Sequence, residues 1–366
     1  MRYKWKKIRY NKTSKRNFVI NNLKKVYKKV FFVILLLITK EKFIYIDIKA
    51  NTKVNYIHIG LSMDKNYFYP CIVLIASLLD NKAKSSFYNI HILFDKSIDD
   101  NFLGKINSTI NRLGENSVNV IFHKMGDDFN NYPTPFLPKS ILYRLSLSSL
   151  LPDIDKIIYI DSDALNFRDL SEMYNTELKD DIYYCGQLDH VNIAKEINRL
   201  RIYPEKYINS GIIIMNLKAI RKDSVEEKIK KFILKYHLRF PDQGAINAIC
   251  HNNTQILPYK YSRFAHNSFQ RLIILNNEQK EKYRLNESEL MKEYSNPTLI
   301  HFAGRSKPWN KNFKNILGLC WLFYAKKSGL FQEILNHYGF NLNNIEEKLS
   351  NITKDGVLVK KNCIIY

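Results

Sequence analysis

Two carboxylates one residue apart, Asp161 and Asp163, close a run of strand-forming residues, Ile157, Ile158, Tyr159 and Ile160. Acids at i and i+2 converge on one hard cation only where strand alternation gives way to a turn. Mg²⁺ or Mn²⁺ then takes one or two carboxylates and completes its shell with substrate phosphates. D-x-D at a strand exit therefore fits diphosphate chelation, although read alone it fits better a turn with Asp161 as a helix cap. More than a hundred residues later, "HFAGRSKPW" follows another apolar strand and supplies His301, Gly304 and Lys307 at i, i+3 and i+6. An imidazole can join the metal, a glycine lets a backbone amide approach a phosphate, and an ammonium neutralises phosphate charge. Imidazole favours a transition ion such as Mn²⁺ over Mg²⁺.

Such groups need a rigid frame. "VNYIHIGLSMDKNY" predicts a strand over Tyr56–Leu61 that ends in a polar turn, and "YPCIVLIASLLDN" a buried helix. "FYNIHILFD" reads as a second strand, Asp99–Leu113 as a helix and "SVNVIFHKM" as a third strand. Strand, helix, strand, helix, strand is the order of a parallel sheet with helices on both faces. "SILYRLSLSSLLPDIDK" predicts a helix to about Leu150, before the strand that ends in Asp161. "DIYYCGQLDH" and "YINSGIIIMNL" read as strands, "RKDSVEEKIKKFILKYH" as an amphipathic helix, and "PDQGAINAIC" as a helix opened by Pro241 and Asp242. "NPTLIHFAG" is a last strand. In open α/β sheets ligands sit beyond the carboxyl ends of strands, and "SMDKNY", "DSD", "NSG" and "HFAGRSKPW" are all expected at such ends.

The chain's formal net charge of +22 is concentrated near the start, since residues 1 to 53 hold sixteen Lys or Arg against Glu41 and Asp47. That segment suits an anionic lipid surface or a nucleic acid through salt-sensitive attraction, or is a solvated tail. Within it, "VFFVILLLIT" is too short for an ordinary membrane-spanning helix, and "TKEKF" offers no small-residue cleavage site. An interfacial helix with flanking lysines fits better than an extra helix or strand packed on the domain, or a signal anchor. Five scattered cysteines without a C-x-x-C pair suit reduced thiols and a cytosolic compartment. The domain reading is a basic amphipathic segment over 1–53, a catalytic unit over 54–315 and a helical extension over 316–366.

From about Asn55 to Trp309, five motifs in order resemble the retaining family 8 glycosyltransferases, which include bacterial lipopolysaccharide galactosyl- and glucosyltransferases. They are "SMDKNYFYPCIVLIASLL", "LYRLSLSSLLPDIDKIIYIDSDALNFRDLSEMY", "YINSGIIIMNL", "PDQGAIN" and "HFAGRSKPW". The resemblance implies an α/β, GT-A type nucleotide-binding fold with a mostly parallel central sheet flanked by helices. It also implies a divalent metal, Mn²⁺ or else Mg²⁺, and UDP-galactose or UDP-glucose as donor. By resemblance Asp161, Asp163 and His301 are metal ligands. Ser62, Asp64, Asn66 and Tyr67 lie where the first strand meets uracil and ribose, Arg144 lies near the diphosphate and sugar, and Gly304 and Lys307 grip the diphosphate. Asn209, Ser210, Asp242 and Gln243 match donor-sugar and reaction-centre residues, and Asp189 an acceptor-side aspartate. Ser162, between the two aspartates, is expected to contact the donor as well; the chain departs from the family at Ser162 and Ser210, where alanine is common, which leaves the sugar open.

These residues imply loss of UDP assisted by the metal and Lys307, with the acceptor hydroxyl attacking the same face. Gln243, an amide and a poor nucleophile, would stabilise the cationic sugar through its carbonyl, with Asp242 holding donor hydroxyls. The expected partners are a nucleotide-sugar and a glycan or glycolipid acceptor, with peripheral attachment to the inner face of the cytoplasmic membrane and no nucleic acid. A sugar nucleotidyltransferase is the nearest alternative, but "LSMDKNYF" lacks the glycine-rich basic loop that holds a triphosphate. A membrane- or nucleic-acid-binding protein with an idle catalytic domain leaves "DSD" and "HFAGRSKPW" unexplained.

Overall fold

The computed structural model describes residues 54–114, 116–189, 198–201, 207–266, 286–310 and 316–340, and the backbone pairing of two strands nearer the N-terminus. Those two, Ile34–Thr39 (β1) and Lys42–Asp47 (β2), form an antiparallel hairpin with Thr39 opposite Lys42. The apolar run is thus extended, where the sequence favours an interfacial helix. A run of Ile and Leu and a run of Ile, Phe and Tyr separated only by Lys40 and Glu41 have the spacing of a two-residue hairpin loop. Residues 1–33, which carry most of the basic charge, lie outside the described residues, as does 341–366 of the C-terminal extension.

A second compact unit begins at Asn55. Its seven-stranded sheet is built from Asn55–Met63 (β3), Ser86–Phe94 (β4), Val118–Lys124 (β5), Lys156–Asp161 (β6), Tyr184–Leu188 (β8), Ile208–Asn216 (β9) and Thr254–Ile256 (β10), in the order β10-β8-β9-β6-β3-β4-β5. The remaining strand after β6, Ala164–Asn166 (β7), leaves this sheet. Every neighbouring pair is parallel except those made by β9, which runs antiparallel to both β6 and β8.

Alternation along the central strands feeds two cores. In β6, Ile158 and Ile160 join Ile57, Ile59, Leu61 and the helix Phe68–Asp80 (α1) on one face, while Ile157 and Tyr159 join Leu142, Leu147, Ile213 and Met215 on the other. Burial on both faces explains why these strands read as nearly unbroken apolar runs. Helix α1 is apolar almost all round because one side meets the sheet and another meets Ile316–Lys327 (α2). The segment before β6 is a 3₁₀ helix over Lys139–Ser146 and a single α turn over Leu147–Leu150, rather than one helix. "RKDSVEEKIKKFILKYH" starts in the last turn of a short helix, Leu217–Lys222, and then holds Val225–Lys235 (α3), the two separated at Ser224, whose φ is 49°. Pro241–Cys250 (α4) starts at Pro241 as expected.

A small sheet carries the chemistry across the molecule. Arg263–Phe264 (β11) pairs with Leu299–His301 (β12), which pairs antiparallel with β7, and His301 lies opposite Ala164. Leu165, Ile300 and Phe302 then pack with Leu317, Trp321 and Tyr324 of α2, so the C-terminal helices form the wall behind this sheet. Cys71, Cys185 and Cys250 are buried free thiols. Cys320 is disulfide-bonded, which corrects the expectation of reduced cysteines throughout. Among the described residues no helix is long and apolar enough to cross a membrane.

Candidate active site

Two departures from a simple parallel sheet assemble the site. The chain leaves the central sheet at Asp161 and enters the small sheet at Ala164, so "DSD" is the step between them and both acids can face one point. Phe302 N–H donates to the Asp163 carbonyl at 2.9 Å, which holds the end of β12 against that step. His301 Nε2 consequently lies 3.2 Å from Asp163 Oδ1 and 3.8 Å from Asp161 Oδ2. One ligand atom from each of the three falls within 4.8 Å of the others.

The second departure is β9. "NSG" occupies its amino end, not the carboxyl end expected of a parallel strand. Because β9 is antiparallel, with Ile212 opposite Ile160 and Ile208 opposite Leu188, that end lies beside the exits of β6 and β8. Gly211 faces His301 and Asp161, two of the three candidate ligands. A Cβ there would sit 2.3 Å from His301 Cε1 and 2.6 Å from Asp161 Oδ2, so glycine is what keeps the cradle open.

The residues fit a divalent cation. Two carboxylates and an imidazole are a donor set suited to Mn²⁺ and acceptable to Mg²⁺. Asp163 Oδ1 is buried, and the group nearest to it is His301 Nε2 at 3.2 Å, itself a candidate ligand. His301 Nδ1 is also buried without a hydrogen-bond partner, so the outer contact that usually orients a ligating imidazole is missing among the described residues.

Electrostatics shift the two acids in opposite directions. Burial pushes the Asp163 carboxyl up, but the Lys307 ammonium and His301 together outweigh it and hold it below the usual carboxylate range. For Asp161, burial leads and the neighbouring Asp163 adds to it. The Arg144 guanidinium, 2.7 Å away, pulls in the other direction without reversing the upward shift. Lys307 bonds Asp163 Oδ2 and donates to the Phe302 carbonyl at 2.8 Å. Arg144 is buried; it also lies 3.3 Å from Asp242 Oδ2 and donates to the Ser210 carbonyl. Burial works against its charge, and Asp161, Tyr159 and Asp242 more than offset that.

A buried amide network lies next to it. Asn209 Nδ2 donates to Asp189 Oδ2 at 3.0 Å and to Gln243 Oε1 at 3.1 Å. Ser210 N–H donates to the same Gln243 oxygen, Gln243 Nε2 donates to Asp189 Oδ2, and the Ser210 hydroxyl donates to Asp242. The structure thus joins Asp189, Asn209, Ser210, Asp242 and Gln243 in one cluster. It also occupies the Gln243 carbonyl with two N–H donors, a constraint on its expected role that the sequence does not show.

At the end of β3, Asp64 caps a 3₁₀ turn by accepting from the Asn66 and Tyr67 amides, and Ser140 donates to its second oxygen at 3.0 Å. Asn66 is exposed; the half-buried Tyr67 stands edge-on to Trp309 at 6.0 Å. Gly304 is exposed with φ of 87°, a conformation that favours glycine. Two expected contact residues turn inward instead. Ser62 Oγ bonds the Tyr159 hydroxyl, and Ser162 Oγ donates to the Ser62 carbonyl at 2.7 Å, so both hydroxyls tie β3 to β6.

Several contributors escape motif reading. Tyr159 donates to Asp161 Oδ1 at 3.0 Å and carries the Arg144 guanidinium 4.3 Å above its ring. Its position two residues before Asp161, hence on the same strand face, is the signal that could have found it. Asn247, one turn after Gln243, accepts from Ile208 N–H and donates to Ile208 O, fixing the start of β9.

The sequence profile described as Glycosyl transferase family 8 matches residues 58–313. The chain is 26% identical over 269 residues to General stress protein A of Bacillus subtilis (strain 168), covering 70% of this chain and 89% of that protein. It is 25% identical over 265 residues to the lipopolysaccharide 1,2-glucosyltransferase of Escherichia coli (strain K12), covering 70% and 73%. Among solved structures, an active-site mutant of LgtC superposes with a TM-score of 0.59 at 18% identity, over 74% of this chain and 95% of that one. The apo WbbM bifunctional glycosyltransferase gives 0.63 at 18% identity, over 91% of this chain and only 62% of its own length.

Proposed function

Because the chain belongs to glycosyltransferase family 8, matched over residues 58–313, we propose that it moves a hexose from UDP-galactose or UDP-glucose to a glycan acceptor with retention at the anomeric carbon. The acceptor in this reading is a lipopolysaccharide or lipooligosaccharide core, a class supported by the relatives named lipopolysaccharide 1,2-glucosyltransferase. The protein works on the inner face of the cytoplasmic membrane, held there in part by its basic N-terminal segment. The observation that carries the reading is the convergence of Asp161, Asp163 and His301 beside Lys307 and Arg144.

A cation held by Asp161, Asp163 and His301 would supply electrostatic stabilisation to the departing diphosphate. The chain's own residues do the rest. Lys307 exchanges its contact with Asp163 for a diphosphate oxygen. The loop at Gly304 brings backbone amides to the same group. The Asp64-capped turn presents Asn66 and Tyr67 to ribose and uracil, and Trp309 braces the tyrosine ring. Arg144, fixed between Asp161 and Asp242, orients the donor sugar with Asp242.

The bond from the anomeric carbon to the diphosphate oxygen breaks as the acceptor hydroxyl bonds the same face, and its proton passes to the departing oxygen. Gln243 releases one of its two N–H donors so that its carbonyl can face the cationic sugar, and Asp189 steadies its amide from the other side. Transfer measured over a panel of UDP-sugars with Mn²⁺ and extracted lipid glycans tests this directly. Asp163→Asn removes charge without volume and is expected to abolish ion-dependent transfer with the fold retained. Wild-type turnover in that variant, or full activity of the natural protein in excess chelator, sinks the ion assignment. Pyrophosphate release from a sugar phosphate and UTP would instead indicate a nucleotidyltransferase.

A further inference from the structure

Helix α3 buries Val225, Ile229 and Ile233 and turns its opposite face to solvent. Lys228, Lys231 and Lys235 recur on that face at spacings of three and four residues and so form one stripe. Leu234 beside the stripe is 51% exposed, and Tyr236 just past the helix is 41% exposed. The Tyr236 ring is held by Phe232 at 4.4 Å, with Lys235 Nζ 5.3 Å from its centroid. The exposed Arg239 lies three residues further on, and Arg199, from a distant part of the chain, donates to the His237 carbonyl. Glu226 is turned inward, bonded to Ser148, Ser149 and Lys230, so Glu227 is the exposed acid of this helix.

Cations of one sign interleaved with exposed Leu and Tyr match an anionic lipid interface. Ammonium and guanidinium groups meet headgroup phosphates, while alkyl stems, Leu and the tyrosine ring rest at the acyl boundary. A nucleic acid would answer the charge and leave Leu234 exposed. The stripe is close to the site in the chain, because α3 packs on α4 and its last turn is joined by five residues to Pro241, next to Asp242 and Gln243.

We propose that the solvent face of α3, with Tyr236 and Arg239, is a second membrane contact, within the catalytic domain, that seats this domain on an anionic lipid surface. The inference deepens the membrane-borne acceptor reading above and rests on it.

The test uses the full chain and sedimentation with vesicles of phosphatidylcholine alone or mixed equally with phosphatidylglycerol. Each basic residue near an anionic surface is worth roughly 5-fold in partitioning, so Lys228→Gln, Lys231→Gln and Lys235→Gln together should cost roughly 100-fold on the mixed vesicles. Binding to phosphatidylcholine alone and hydrolysis of the UDP-sugar should not change. Leu234→Ser with Tyr236→Ser should weaken the salt-resistant part of binding. If the triple variant binds like the natural protein while Lys24→Gln, Lys25→Gln and Lys28→Gln abolish binding, the stripe is idle and only the N-terminal contact stands. If the natural protein binds neither vesicle, both readings fall. Loss of donor hydrolysis in the triple variant would show a structural role and overturn the docking assignment, as would RNA binding that the triple variant loses with vesicle binding intact.

Discussion

Gly211→Ala puts the metal-site geometry at risk with a single methyl group. The added carbon would lie 2.3 Å from His301 Cε1, 2.6 Å from Asp161 Oδ2 and 2.9 Å from His301 Nε2. Carbon atoms pack at about 3.5–4.0 Å, so the imidazole must retreat by roughly 1 Å or β9 must bow away from β6. Metal–ligand distances tolerate about 0.2 Å, and disturbing even an outer-shell partner typically costs about 10–100-fold in affinity. Displacing two ligands together should therefore raise the Mn²⁺ concentration for half-maximal UDP-sugar hydrolysis by about 100-fold or more. Overpacking costs roughly 1–3 kcal/mol, a Tm fall of roughly 2–6 °C for a domain of this size. Calorimetric titration of Mn²⁺ with UDP, alongside a thermal melt, reads both effects. Gly104→Ala is the control, because nothing lies within 4 Å of a Cβ there and the residue is inside a helix, so stability should rise by about 0.5–1 kcal/mol. A Gly211→Ala variant with the natural ion response and Tm would refute the claim that β9 closes on His301 and Asp161.

Lys307→Ala should weaken UDP binding by at least about 10-fold in calorimetry, since a charge-assisted contact of roughly 1.5–3 kcal/mol is lost; unchanged binding removes its phosphate role. Tyr159→Phe deletes the donor to Asp161 and leaves Ser62 Oγ without that partner, so a cost of roughly 1–3 kcal/mol in urea unfolding is expected, with weaker ion binding. His91, between His58 and His123 at 3.2 and 3.1 Å, is held by burial at a pKa of about 4 instead of 6.5. Because folding favours its neutral form, the unfolded chain binds the extra proton, and stability should fall as pH drops from 6.5 toward 4. The linkage limit is about 3 kcal/mol, nearer about 2 after solvent screening, and His91→Asn should flatten that limb of a Tm-against-pH curve.

What the sequence made legible was contiguous. "DSD" and "HFAGRSKPW" carry their spacing within a few residues, and the apolar runs of β3, β4 and β6 announce a buried parallel sheet. The direction of β9 was not legible, because Ile212, Ile213 and Ile214 are buried whichever way the strand runs. With that direction unknown, neither the closeness of Gly211 to His301 nor the joining of Asn209 to Gln243 could be read. The inward turn of Ser62 and Ser162 depends on strand parity at β3 and β6, and the histidine row depends on register among three strands. Motif spacing records neither. The hairpin at Ile34–Asp47 was missed for a different reason, since short apolar runs carry no decisive period.

The step from Asp161 to Ala164 carries the chain from one sheet to another, and His301 answers it from the far side. An ion bound there would act as a clasp between two separately hydrogen-bonded bodies, and by mass action its binding energy would be added to the stability of the fold. At free ion 100 times the Kd that contribution is about 2.7 kcal/mol. Heat resistance should then follow ion supply, so a cell starved of the metal would hold a looser protein as well as a slower one.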